Sequence, residues 1–273
     1  MSTSRTVLSA SLFLVFALLA LASLAGWTGD SQSVDFAAGA AAEKVRNQPI
    51  LVELFTSQGC SSCPPADRLL SRLADEAADE VIALSFHVDY WNYIGWQDPF
   101  SSKQWSERQE GYARALRTGR LYTPMLVVDG RDDVVGSQAA QVKRLLDKAR
   151  ARDPHGAVSL GGSLDGGKVL GEVYASLDPA RAIAAAVLYV AVVETGLETS
   201  VTRGENDGRT LSNDYVVRRL DRVGTLTADA AAQESVEIPL MPEWTRENLG
   251  LVAFLQDPET FAIHGAALWR ADS

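Results

Sequence analysis

The chain carries two cysteines in 273 residues, set as Cys60-Ser61-Ser62-Cys63 between a short apolar run and a helical pattern. That order constrains the fold more than any other feature. Ile50 to Phe55 reads as a strand, and residues 65–79 place Leu69, Leu70, Leu73 and Ala77 on one helical face. With no third cysteine, the pair either closes a small, reducible disulfide or helps to clamp a soft metal. As a staple it contributes little, because the loop is too short to remove much unfolded-state entropy. Chemistry is therefore the expected purpose.

The rest of residues 49–152 alternates strand and helix signals. Val81 to Val88 is a second buried-type strand, and Ser101 or Ser102 can cap a helix carrying Trp105, Gln109, Tyr112 and Leu116 on one side. Met125 to Val128 is a third strand, ended by the Asp129-Gly130 turn, with Asp133 to Val135 as hairpin partner. Ser137 can cap a last helix that turns Val142, Leu145, Leu146 and Ala149 inward. This order predicts an α/β region, a mixed sheet with flanking helices. After Asp153-Pro154 the helical period fades. Val158–Leu164 and Val169–Leu177 read as a strand pair, followed by strands at 186–194, 197–203, 214–222, 234–240, 249–256 and 261–270. Residues 153–273 are therefore expected to form a β-rich, sandwich-like region.

Ahead of both regions, Arg5 precedes an apolar run from Val7 to Ala25, and Ser23-Leu24-Ala25 supplies small residues for cleavage. Residues 1–25 read as a secretory signal peptide, with an uncleaved membrane anchor as the alternative. Residues 26–48 read as a flexible leader. Either way the expected location is periplasmic or secreted, where an unassisted dithiol tends to oxidise. The formal charge of −10 argues against nucleic acid as a partner. A membrane enters only if the N-terminal segment stays uncleaved.

A strand, a tight loop, CxxC and a helix is the order of thioredoxin-like oxidoreductases. Thr123-Pro124, directly before the third strand, is a second mark, since that fold places a cis-proline there. Residues 52–67, VELFTSQGCSSCPPAD, resemble the signature of a thioredoxin-like, mostly secreted bacterial family of unknown function. His87-Val88-Asp89-Tyr90-Trp91, Gly95 to Phe100 and Tyr122-Thr123-Pro124 match its pattern too, as do Arg203 to Leu211 and Val216-Val217-Arg218. The resemblance implies a thioredoxin fold but brings no settled substrate. Family members often show a histidine where this chain has Ser212 or Asn213.

The leading expectation is an exported thiol-disulfide oxidoreductase acting on protein or small-molecule thiols and disulfides, served by a redox partner protein, with no cofactor and no resident metal. Cys60, expected to be the more exposed sulfur, attacks, and the more buried Cys63 resolves. Pro124 and Thr123 order the substrate backbone. Glu53, the sole charge on its strand, is either a general acid/base beside Cys63 or a carboxylate spent in a salt bridge or solvent. Trp91 and Trp96 belong to an aromatic loop that forms either a peptide platform or packing on the sheet. Pro64 and Pro65 are expected to delay the helix to about Pro65, leaving the cysteines in a turn. His87 is read as a hydrogen-bonded structural residue in preference to a ligand. Two other readings stay open. One is a Cu(I) chaperone using Cys60, Cys63 and Met125, although Met125 also suits core packing. The other is a non-catalytic interaction module. The second region is expected to bind a partner or to shield the thiols.

Overall fold

The computed structural model describes residues 48–227 and 231–271. The segment read as a signal peptide, and all of the leader except Gln48, lie outside the described residues.

Three cores on the two faces of one large sheet explain the strand patterns. The elements run β1 (Ile50–Thr56), α1 (Pro64–Glu76), β2 (Val81–His87), α2 (Lys103–Ala115), β3 (Met125–Val128), β4 (Asp132–Val135) and α3 (Ala139–Arg150). Strands follow: β5 (Gly156–Asp165), β6 (Lys168–Leu177), β7 (Ala185–Glu194), β8 (Leu197–Ser200), β9 (Thr210–Asn213), β10 (Val216–Thr227), β11 (Ala231–Pro239), β12 (Leu249–Gln256) and β13 (Ile263–Arg270). Eight of them form a mixed sheet in the order β13-β12-β7-β10-β2-β1-β3-β4. β1 and β2 run parallel from Ile50↔Val81 to Thr56↔His87. β3 lies antiparallel on the other side of β1, and β4 completes the hairpin.

Side chains alternate across β1, so Leu51 and Phe55 enter one core while Val52 and Leu54 enter another. The first core runs along one face of the large sheet, from Met125 to Phe254, and takes Trp105 and Tyr112 from α2. The second lies under α1 and α3. A third forms where β5, β6 and β11, a separate antiparallel sheet, cover β7 and β12. That layer is the sandwich-like part expected from the sequence. The strands beneath it belong to the same sheet as the CxxC strand, joined through β10, whose Val216 pairs with Ser85 of β2. Both faces of β7 and β12 are covered, which is why they read as nearly continuous apolar runs.

Three local expectations change. Ser102 does cap α2, accepting from the Gln104 amide, but α3 begins after Gln138 with no side-chain cap from Ser137. β9 (Thr210–Asn213), a short strand paired with β8, was not anticipated. α1 starts at Pro64, and Cys63 sits at its N-cap with helical dihedrals of −77° and −41°. The prolines occupy the first two helical positions, where a missing N–H leaves no hydrogen bond unmade. Cys63 keeps the helical conformation that its following proline disfavours. Its carbonyl accepts from the Ala66 and Asp67 amides, and its own amide donates to Cys60.

Candidate thiol–disulfide site

β1 delivers the chain to a tight loop, and α1 carries it away. Between them Cys60 and Cys63 form a disulfide. The Thr123–Pro124 peptide is cis, as the sequence order led us to expect. Both cysteines are buried, Cys60 at 1% and Cys63 at 0% exposure. This corrects the expectation of an exposed Cys60, which is scarcely more accessible than Cys63. The loop presents Ser61 and Ser62 to solvent instead.

The cover comes from the second region. Asn206, itself fully buried, donates from Nδ2 to the carbonyls of Gln58 (2.8 Å) and Cys60 (3.1 Å). The Glu205 carboxylate accepts from the Ser61 amide at 3.0 Å. Gln58 donates to Asn213 (2.8 Å) and to Thr199 (3.0 Å), and accepts from Trp96 Nε1 (3.2 Å). These contacts hold the loop, and Asn206 satisfies two of its carbonyls, as buried backbone requires.

The aromatic loop is the second support. Trp91 donates from its ring nitrogen to Thr123 at 2.8 Å, beside the cis-proline. Its Cβ packs so closely on Gly59 that an added methyl there would come within 3.0 Å of it. Trp91 and Trp96 are half-buried, whereas Tyr93 between them is 83% exposed. The loop thus combines packing with one presented aromatic ring. Met125 lies in the first core, where Gln109 donates to its sulfur at 3.7 Å.

Glu53 faces away from this network. It is fully buried on the α2 side of the sheet, paired with Arg108 at 2.7 Å and hydrogen-bonded by the Tyr112 hydroxyl. Arg108 also donates to Gln256 of β12 and lies between the rings of Phe86, Tyr112 and Phe254. The salt-bridge reading of Glu53 describes these contacts. Among the described residues no hydrogen bond joins Glu53 to either cysteine.

A different set of ionisable groups lies below the disulfide on the α1 side. Asp67 stands one helical turn after Cys63, on the same face of α1, and accepts from the Thr56 hydroxyl at 2.7 Å. Burial pushes its carboxyl up to about 6, with His87 and Thr56 opposing. His87 shares 2.7 Å with Asp98 through Nδ1, while its Nε2 is buried without a hydrogen-bond partner. Burial lowers the His87 pKa, but Asp98 and Asp67 outweigh it and leave the group raised. Asp98 also accepts from the Gln58 amide at 2.8 Å, tying this cluster to the loop before Cys60. His87 thus has the structural hydrogen bond expected of it, and more. Spacing could have revealed Asp67, four residues from Cys63. Asp98 and Asn206 lie in segments that match the family pattern, Gly95 to Phe100 and Arg203 to Leu211, but no spacing ties either to the cysteines.

A strand–CxxC–helix unit with a cis-proline opposite defines a thioredoxin-like protein. The chain belongs to the family of proteins of unknown function DUF1223, whose profile matches residues 51–256. It is 25% identical over 109 residues to a probable thioredoxin of Archaeoglobus fulgidus, covering 40% of this chain and 98% of that protein. The crystal structure of an Agrobacterium tumefaciens protein, 31% identical, superposes with a TM-score of 0.64 over 82% of this chain and 95% of that one. HBP35 of Porphyromonas gingivalis, at 15% identity, shares the fold with a TM-score of 0.66 over 83% of this chain and 76% of its own.

Proposed function

We propose that the protein is an exported thiol-disulfide oxidoreductase. The observation that carries this reading is the Cys60–Cys63 disulfide at the head of α1, with an ionisable cluster one turn below it. A substrate thiolate attacks the Cys60 sulfur, the Cys60–Cys63 bond breaks, and Cys63 leaves as a thiolate. Asp67, protonated over part of the neutral range because burial raises its pKa to about 6, supplies the proton that neutralises Cys63. A second substrate thiolate then displaces Cys60. Two electrons pass from substrate to protein, and a disulfide substrate drives the sequence in reverse. Asp67 takes the role that the sequence offered to Glu53, because Glu53 is held by Arg108 on the opposite face.

The burial of Cys60 favours a second reading, an interaction module whose disulfide does not cycle. The reduction potential of full-length protein in glutathione buffers separates them. The enzyme reading expects a value of roughly −270 to −120 mV, with exchange abolished in Cys60→Ser and mixed disulfides trapped in Cys63→Ser. A value below about −300 mV overturns it.

A further inference from the structure

At the opposite end of β1 from the disulfide, a cavity of about 590 Å³ opens between α3 and the segments that begin β5 and β13. That size suits a small organic ligand. Its wall carries four arginines and two histidines beside four carboxylates. Most of the acids beside them are already engaged. Glu80 pairs with Arg150, Asp153 with Arg181, and Asp129 accepts from the Leu51 amide, leaving Asp79 exposed at the rim.

Several donors are left over. The Arg131 amide donates to the Val128 carbonyl, and its half-buried guanidinium makes no hydrogen bond or close ion pair among the described residues, although Asp129, Asp257 and Asp132 attract it. Arg152 gives one terminal nitrogen to Asp132, while its Nη1 is buried without a partner. His264 is 5% exposed, and neither ring nitrogen has a hydrogen-bond partner. The closest carboxylate to it, Asp257, stands 4.0 Å away, and its ring stacks on His155 at 5.5 Å. Burial and the charge of Arg131 hold His264 down to about 4, and Arg152 opposes the protonation of Arg131 after burial does. Arg152 Nη1 and the His264 ring are thus buried polar groups left unsatisfied, which a folded protein rarely leaves without purpose.

We infer that this cavity binds a small molecule through an oxyanion, a carboxylate or a phosphate group. Arg131 and the free Nη1 of Arg152 grip the anion, since a guanidinium fork matches both geometries. His264 adds a ring nitrogen, and Ile50 and Ile263 line the wall for the rest of the ligand. Nothing in this site depends on the cysteines.

Calorimetric titration of the full chain with inorganic phosphate, and separately with succinate, at ionic strength held constant by sodium chloride, tests the inference. One of the two binds in a single site, and the pair tells phosphate from carboxylate. Arg131→Gln weakens that binding about tenfold or more without moving the Cys60–Cys63 potential. In the wild-type chain the same anion shifts the ring-nitrogen resonances of His264, a readout that needs no variant. The inference is overturned if neither anion binds with a Kd below about 10 mM. Equal affinity in wild type and Arg131→Gln, or unmoved His264 resonances at saturation, overturns it as well.

Discussion

The side-chain amide of Asn206 donates to the carbonyl oxygen of Cys60 at 3.1 Å, across 146 positions of sequence. The same nitrogen reaches Gln58, so one buried side chain fastens both ends of the turn into the disulfide. The loop therefore depends on the second region for its shape and for its cover.

Removing that fastening should expose the disulfide. In Asn206→Ala two carbonyls lose a buried donor, at a cost of about 1–2 kcal/mol. If opening of this cover limits attack, reduction by dithiothreitol speeds up roughly fivefold or more. Stopped-flow reduction of the variant against wild type checks this, and equal rates would show that the cover does not gate the sulfur.

Glu205 places a carboxylate on the Ser61 amide, next to Cys60 in sequence. A negative charge there opposes the Cys60 thiolate. In reduced protein, Glu205→Gln should lower the Cys60 thiol pKa, and the difference should shrink as salt is raised. Thiolate ultraviolet absorbance followed against pH gives the value in each variant.

Asp67 also sets a pH dependence of stability. Its folded pKa is raised from 3.8 to about 6, so the folded state holds a proton that the unfolded chain has released. Stability should fall as pH rises through that window and level off above it. The raised pKa of His87 acts in the same direction at higher pH, its contribution being present below 6.5 and lost as the ring deprotonates. The Asp67 part is on the order of 2–3 kcal/mol. Urea unfolding between pH 4 and pH 8 should show a shallower decline in Asp67→Asn, and an unchanged slope would remove Asp67 as its source.

The pair of Glu53 and Arg108 should behave as a buried bridge that specifies packing. Arg108→Met leaves Glu53 buried and unpaired, and should cost about 3–5 kcal/mol. Glu53→Leu combined with Arg108→Met removes both charges, and should recover most of that loss. Melting temperatures of the two variants decide it. A double variant no better than the single would place the loss in the Phe86, Tyr112 and Phe254 contacts of the guanidinium.

Much of the architecture was legible because it is local. Period 3.6 marks Leu69, Leu70 and Leu73 on one helix, period 2 marks β6, and the strand–CxxC–helix order with Thr123-Pro124 fixes the thioredoxin-like region. The sequence by itself determined these elements, the cysteine pair and its helix, since each depends on neighbours within a few residues. Only the tertiary structure decided that β10 joins β2, so that strands from both regions share one sheet. It also decided that Asn206 holds the Cys60 carbonyl, that Glu53 turns to Arg108, and that Asp67 and His87 come within electrostatic reach of each other. Burial and charge pairing set those outcomes, and both depend on which distant segments pack together. A period along the chain cannot report them.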